Sequence, residues 1–372
     1  MADHMANQSL SRTPLHAWHS SHEGRLVEFA GWEMPVQYGS IADEHLATRS
    51  AAGLFDISHM GRLKFDGDRA LPFLDRLVTR RVANMKAGQI RYALITNPQG
   101  GILDDVLVYR LQQADGTPRT MMVVNASNRG KIVAWLQQHL RAADALTIRD
   151  VTRATAMLAV QGPAAIELVA AMVDVDLPGM KYYTGTLARL GSVEIVLSRT
   201  GYTGEDGCEL IVPAEAALEI WERILARGAR PVGLAARDTL RLEAGMPLYG
   251  HELSEQIHPL QAGLQFAVQL ERRDFVGRDA LVVAQSDTTC RRRVGLQLRD
   301  RRVPRVHYAV LRDSQVVGEV TSGTFSPTLA RPIAMAYVDP PAAVVGQVLQ
   351  VDIRGRLAPA EVVGLPFYSR NS

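Results

Sequence analysis

The sequence predicts an α+β protein of two or three domains whose last part is a small β unit. Three observations carry this. The chain has 372 residues, too many for one ordinary domain. As far as about residue 285, apolar runs of strand length alternate with amphipathic helical stretches. From about Arg291 the texture changes to short β-rich runs separated by Gly and Pro, the pattern of a small barrel or sandwich.

Met1 to Arg12 is polar, lacks an apolar signal core and has a single Arg, so it reads as a disordered lead-in and not as a targeting peptide. His16, His19 and His22 follow at spacing three. On a helix, i and i+6 lie about 240° apart, so the three rings cannot easily converge on a metal, and a solvated face is the simpler reading. Phe29 to Pro35 reads as an aromatic loop, and Ile41 to Ser50 as a helix. Arg62 to Phe65 is a strand, followed by a helix from Asp68 to Val78. Arg91 to Thr96, Ile102 to Leu111 and Thr120 to Asn125 form an antiparallel meander, its second link carrying Asp-Gly and Pro. Lys131 to Ala143 is an amphipathic helix. Ala156 to Val160 is a strand, stopped at Gly162-Pro163, where a helix begins at Ala164. Val193 to Arg199 is a half-buried strand running into a Gly-rich loop, and Glu209 opens the next strand. Helices follow over Ala214 to Arg227 and from Gly233 to a stop at Gly245. The C-terminal strands are Val294 to Leu298, Ala309 to Arg312, Val316 to Thr321, Ile333 to Val338 and Val348 to Ile353. The linker Cys290-Arg291-Arg292-Arg293 reads as a solvated basic run, with a docking surface for an acidic partner as the alternative.

Composition excludes several classes. The chain is 47% hydrophobic and 22% charged, ordinary for a soluble globular protein with ample core. Its net charge of +2 gives no electrostatic case for nucleic acid. No run approaches the ~20 apolar residues of a membrane span. The only cysteines, Cys208 and Cys290, are far apart, which suits a reducing compartment and argues against a disulfide or thiolate–metal framework. The loop Thr200-Gly201-Tyr202-Thr203-Gly204-Glu205-Asp206-Gly207 has glycines at spacing three, yet it leads into another apolar run and is no dinucleotide fingerprint.

One stretch breaks a local rule. In Asn97-Pro98-Gln99-Gly100-Gly101-Ile102-Leu103-Asp104-Asp105-Val106-Leu107-Val108-Tyr109 a turn leads into an apolar strand carrying two adjacent carboxylates. Asp is depleted in strands, and a buried ionised carboxylate is costly unless paired. Such breaks concentrate at functional sites. Alternation puts Asp105 with Leu103, Leu107 and Tyr109, and Asp104 with Ile102, Val106 and Val108. The pattern alone does not choose between the two acids, and turn capping or an Arg partner would explain either.

Several segments together resemble one family. They are Phe29-Ala30-Gly31-Trp32-Glu33-Met34-Pro35, Phe55-Asp56-Ile57-Ser58-His59-Met60-Gly61, Gly100-Gly101-Ile102-Leu103-Asp104-Asp105 and Leu158-Ala159-Val160-Gln161-Gly162-Pro163. Further on come Arg199 to Gly207, Gly233-Leu234-Ala235-Ala236-Arg237-Asp238, Arg241-Leu242-Glu243-Ala244 and Thr321 to Leu329. In number and order these motifs resemble the aminomethyltransferase (T-protein) family of the glycine cleavage system, from about Thr13 to Tyr368.

The resemblance implies a three-domain, cloverleaf-like α+β fold with folate in a central channel. Two interleaved mixed α/β subdomains, 13–55 plus 145–240 and 56–144 plus 241–285, would precede a small β-barrel or jelly-roll-like domain over 291–368. It implies tetrahydrofolate as acceptor co-substrate and, as donor, an aminomethyl group on the lipoyl arm of the H-protein carrier. Other glycine cleavage components are the wider partners, with no nucleic acid, membrane or metal involved. The compartment is cytoplasmic in a bacterium, or the mitochondrial matrix in a eukaryote.

The site residues follow from the same resemblance. Nitrogen and sulfur share one methylene in the donor, and breaking one of those bonds leaves an electron-poor carbon for a folate nitrogen to attack. A fixed carboxylate can stabilise that charge and orient the nucleophile; the family's second motif acid, here Asp105, has this role. A pterin offers adjacent N–H donors that one carboxylate can accept together, and the family's acid after the Gly-rich loop maps to Glu209. Arg237 shares a helix face with Arg241, which can reach Asp238 at i−3, leaving Arg237 for a ligand at the family's folate-contacting position. Tyr92, Tyr109 and Tyr202 have faces that suit flat rings. Met60 and Asn125 map to positions lining the family's pocket, and Arg370 is a candidate for the anionic glutamate tail.

Two other functions compete. A folate-binding relative that serves iron–sulfur maturation carries a Lys-Gly-Cys-Tyr-x-Gly-Gln-Glu motif, whereas this chain reads Tyr249-Gly250-His251-Glu252 in that region. A folate-dependent demethylase of N-methylated glycine usually comes fused to a flavin domain, for which no fingerprint appears.

Overall fold

The computed structural model describes residues 9–113 and 115–370. Most of the lead-in, residues 1–8, lies outside the described residues. Its end is ordered: Ser11–Arg12 is a strand beside Trp32–Gln37, which also pairs with Arg25–Phe29. The aromatic segment expected as a loop is therefore a hairpin. Phe29 pairs with Trp32 across a two-residue turn in which Ala30 and Gly31 have φ of 51° and 79°. Two positive φ values match the twist of a hairpin, and the signal was masked because Ala, not Asn or Asp, takes the first position.

Two sheets share the bulk of the chain. The six-stranded sheet runs in the order Gly185–Leu190, Val193–Ser198, Gly207–Pro213, Thr155–Gln161, Gly53–Asp56 and Arg230–Pro231. All its pairs are antiparallel except the last. The five-stranded sheet runs Gln89–Thr96, Ile102–Gln112, Pro118–Val124, Gly61–Asp66 and Thr147–Asp150, antiparallel throughout. Helices Ala165–Ala170 and Ala217–Leu225 bury Val169, Ile220 and Trp221 against the first sheet. Helices Ala70–Asp75 and Arg129–Gln138 bury Phe73, Leu74 and Leu136 against the second. These helices are shorter than the periodicity suggests. The opposite faces share a core that includes Phe55, Tyr109, Met157 and Ile211.

The chain crosses between the sheets twice, at residues 57–60 and again at 151–154, and Arg62 ties the crossings together. Its guanidinium, fully buried, donates to the carbonyls of Ser58 (2.8 Å), Thr155 (2.9 Å), Met60 and Thr152. Buried charge is tolerated there because each N–H finds an acceptor.

Strands from Arg292 onward close a barrel in the order Arg292–Leu298, Arg331–Val338, Gln315–Ser326, Ala309–Arg312, Val348–Ile353 and Arg356–Val363. The last strand is absent from the sequence reading because Pro359 sits inside it, where a proline argues against a strand. The three-part α+β architecture with a C-terminal barrel is thus as expected. Helix Leu234–Glu243 packs between strand Trp32–Gln37, helix Ile41–Ser50 and barrel strand Gln315–Ser326. Its approach requires Gly233, where a Cβ would lie 2.4 Å from the Val36 carbonyl carbon. Among the described residues no helix is long and apolar enough to cross a membrane.

Candidate active site

A cavity of about 740 Å³ opens where the shared core of the two sheets meets helix Leu234–Glu243. Of the nine candidate residues, Met60, Tyr92, Asp105, Asn125, Tyr202, Glu209 and Arg237 line it, whereas Tyr109 and Arg370 do not.

The Asp105 wall comes from the five-stranded sheet. The Gly-Gly turn is needed because a Cβ on Gly101 would fall 1.8 Å from the Glu255 carbonyl oxygen. The turn leads into a bulge: Thr96 pairs with Ile102 and Ile95 with Asp104, leaving Leu103 unpaired. Alternation is reset there. Leu103 packs with Val106 and Val108, not on the Asp105 side as strict alternation predicts. Asp105 accepts from Asn125 Nδ2 at 2.7 Å through Oδ1 and from the Tyr92 hydroxyl at 3.2 Å through Oδ2. Burial raises its pKa, and these two donors oppose the shift. Tyr92 stacks on Phe266, their ring centroids 5.9 Å apart.

Asp104 faces away from the cavity and is fully buried. It accepts from the Asn125 backbone N–H (3.1 Å), Asn125 Nδ2 (2.8 Å) and Asn128 Nδ2 (2.6 Å). Burial and then the charge of Asp105 push its pKa up to about 8.

The opposite wall belongs to the six-stranded sheet. Glu209, in strand Gly207–Pro213, is 5% exposed, not the surface residue a half-exposed strand would carry. Its one side-chain hydrogen bond comes from the Thr200 hydroxyl. Burial raises its pKa against the pull of Thr200 and the Arg237 charge. Cys208 points to the other face, into the core. Arg237 lies 4.8 Å from the Tyr202 ring centroid, and its buried Nη1 has no hydrogen-bond partner. Arg241 does reach Asp238, at 2.8 Å, and also Glu252, at 3.0 Å. Glu205 pairs with Arg49, and Asp206 with Arg199.

Tyr109 is fully buried in the shared core. It does not line the cavity. Arg370 pairs with Asp206 at 3.2 Å outside it. The three N-terminal histidines turn to separate partners: His16 to Glu33, His19 to Asp56 and Tyr38, His22 onto the Trp18 ring.

Other lining residues went unassigned from sequence. His59 is 3% exposed, with Nδ1 buried and unpartnered. Burial first and the Arg237 charge second hold its pKa down at about 3, so the ring is neutral. Thr200 and His59 both lie inside quoted motifs, which was the available signal. Phe266, in a short turn of Gln265–Ala267 and 60% exposed, had none.

The arrangement joins a buried acid with spare acceptor capacity, an arginine with a spare donor, aromatic walls and a second carboxylate fixed by an amide. It suits a flat polar heterocycle and a reaction that develops positive charge.

Comparison with known proteins gives the family. Residues 15–272 match the family model for the GCVT N-terminal domain, and 291–369 that for the glycine cleavage T-protein C-terminal barrel domain. An aminomethyltransferase of Streptomyces coelicolor is 47% identical over 98% of this chain and all of its own length. One from Synechococcus elongatus is 45% identical over 97% of this chain and 96% of its own. The crystal structure of glycine cleavage system aminomethyltransferase T from Bartonella henselae superposes with a TM-score of 0.90 at 34% identity, covering 97% of this chain and 99% of that one.

Proposed function

Because the chain belongs to the aminomethyltransferase (T-protein) family of the glycine cleavage system, we propose that its central cavity binds tetrahydrofolate and that Asp105 carries the transfer. The single observation behind this is the cavity's pair of unlike walls. One has a buried carboxylate and a guanidinium with unused hydrogen-bonding capacity; the other presents a fixed carboxylate. An iron–sulfur maturation role and N-methylglycine demethylation are not favoured, since the relatives are aminomethyltransferases over their whole length.

Tetrahydrofolate fits the residues present. Glu209 accepts the adjacent N–H groups of the pterin edge, Arg237 supplies its free N–H to the ring, and Tyr202, Tyr92 and Met60 cover its faces. The donor is the aminomethyl group on the lipoyl sulfur of the H-protein carrier, reaching in from the mouth. The folate N–C bonds form as the C–S and C–N bonds of the donor break. The two folate N–H protons leave with ammonia and the dihydrolipoyl thiol, and the products balance as methylenetetrahydrofolate, ammonia and the reduced arm. The Asp105 carboxylate stabilises the electron-poor methylene and orients the attacking nitrogen. Arg370, outside the cavity, meets the glutamate tail only by exchanging its Asp206 partner.

The division into two interleaved subdomains is part of this proposal; the separate sheets support it, and the pairing of strand Thr147–Asp150 with Gly61–Asp66 favours adding that strand to the 56–144 unit. The other glycine cleavage components are the wider partners, in the bacterial cytoplasm.

The test supplies aminomethylated carrier and tetrahydrofolate and measures ammonia. Folate-dependent release is expected, and none would overturn the reading. Asp105→Asn keeps folate binding and lowers turnover by about 10²–10³-fold; full activity in that variant removes its role.

A further inference from the structure

Asn125 bridges the two adjacent acids. Its Nδ2 lies 2.8 Å from Asp104 Oδ1 and 2.7 Å from Asp105 Oδ1. An amide NH₂ has two hydrogens, so each carboxyl takes one. Only the nitrogen end can face two acceptors, which turns the amide oxygen away from both acids. The bridge is anchored on the side remote from the cavity, because Asp104 also accepts the Asn125 backbone N–H at 3.1 Å and Asn128 Nδ2 at 2.6 Å.

Asp104 has no other evident task. It is fully buried, does not line the cavity and has no ion-pair partner among the described residues. A buried carboxyl without a cation is a liability for folding unless its donors serve a purpose. Its donors come from the segment at the end of strand Pro118–Val124, the same segment that grips Asp105.

We propose that Asp104 is a positioning residue for the transfer: by clamping the Asn125 side chain and backbone, it fixes one amide hydrogen on Asp105 Oδ1. The Asp105 carboxylate is thereby locked, and Oδ2, which carries only the Tyr92 hydroxyl, is presented to the reacting carbon. Asp105 Oδ1 is the held atom and Oδ2 the working one. This rests on the assignment of Asp105 above.

In Asp104→Asn, Oδ1 can still accept from the two side-chain amides, but the new nitrogen then opposes the Asn125 backbone N–H, so the backbone anchor of the clamp is lost while volume is kept. The expected result is a kcat lower by roughly ten- to hundredfold, with tetrahydrofolate Kd and KM within twofold. A merely structural role would instead lower the folded fraction and leave kcat per folded active site unchanged. A double-mutant cycle with Asn125→Ala gives the second readout. If Asp104 acts through Asn125, the double variant loses no more kcat than Asn125→Ala alone. Independent, multiplying losses overturn the proposal, as does an Asp104→Asn kcat within twofold of wild type. Should Asp104→Asn not fold, Asn128→Ala removes one clamp donor outside the cavity, and a several-fold kcat loss at unchanged Kd is required. Asp105→Asn runs in parallel. Full activity there refutes the reading of Asp105, whereas its inactivity beside an unaffected Asp104→Asn refutes this inference alone.

Discussion

Helix Leu234–Glu243 carries two buried polar clusters that differ in how completely they are satisfied. At its C-terminal end Glu243 is fully buried and saturated. It accepts from Arg49 Nη2 and the Thr328 hydroxyl, each at 2.8 Å, and from the Ser326 hydroxyl at 2.5 Å, with His45 at 3.2 Å. These partners come from helix Ile41–Ser50 and from barrel strand Gln315–Ser326 and the turn after it, so the cluster fastens the barrel to the sheets. Toward the N-terminal end, Arg237 has an orphaned Nη1, Glu209 has one hydroxyl donor, and His59 an unpartnered Nδ1. Leaving such groups unpaired costs stability. On this helix the saturated cluster lies at the joint with the barrel, and the deficient one lies where the cavity opens.

The largest expected effect breaks the saturated cluster. Glu243→Ala leaves Arg49 with Glu205 as its one acid and takes the shared buried acceptor from Ser326, Thr328 and His45; it costs about 3–5 kcal/mol of stability by denaturant titration, while folate Kd per folded molecule is unchanged. Its pH dependence has a definite sign. The cluster holds the Glu243 carboxyl at about 2, below its ordinary 4.5. A depressed pKa contributes stability above the unfolded value and loses it as pH falls from about 4.5 toward 2. The difference between wild type and Glu243→Ala therefore narrows over that range, and a constant difference would deny the charge its role.

Glu209→Ala has the next largest effect, on binding: tetrahydrofolate affinity falls by about 2–5 kcal/mol on titration. Stability changes little, because the variant also discards the burial cost of an underpaired acid. Unchanged affinity would break the equation of deficit with ligand site. Arg237→Met sharpens the same point. Affinity falls by roughly 1–2 kcal/mol, while the melting temperature holds or rises, since a half-buried cation with an orphaned, buried donor is replaced by an apolar chain of similar length. A clear loss of stability would mean that Arg237 is a structural member like Arg49.

The contrast also explains what was legible in the sequence. Helix Ile41–Ser50 is found at its expected bounds because its signals are local: Ser40 caps the Asp43 N–H, and acids fill the first turn. The acidic pair stood out because it violates strand composition. The bulge at Leu103 did not, since nothing in Gly-Gly-Ile-Leu-Asp-Asp states which residue is left unpaired, and one skipped residue changes which side chains share a face. Tyr109 lies off the cavity lining for a related reason. It does lie on the Asp105 side of the strand, but farther along, where that side is buried against the other sheet. Depth along a strand is a tertiary property. Glu243 attracted no notice because its partners are remote in sequence, Arg49 at 194 positions and Ser326 at 83.

The smallest effect probes whether the two clusters are independent. The chain leaves the barrel and returns against helix Leu234–Glu243 and the 199–207 loop. Tyr368 donates its hydroxyl to Glu205 Oε1 at 2.7 Å and its N–H to the Glu243 carbonyl at 2.9 Å, and its ring lies 4.0 Å from the Arg49 guanidinium carbon. Glu205 belongs to the same loop as Thr200 and Tyr202, which line the cavity. Tyr368→Phe keeps the ring beneath Arg49 and removes one hydrogen bond, so about 0.5–1.5 kcal/mol of stability is lost. Folate Kd stays within twofold, because Thr203 is separately held by Gln161 at 3.0 Å and Tyr202 by the Pro247 carbonyl. A tenfold weaker Kd at that modest stability cost would show the tail setting the loop's position, and the saturated and deficient clusters would then be one coupled unit.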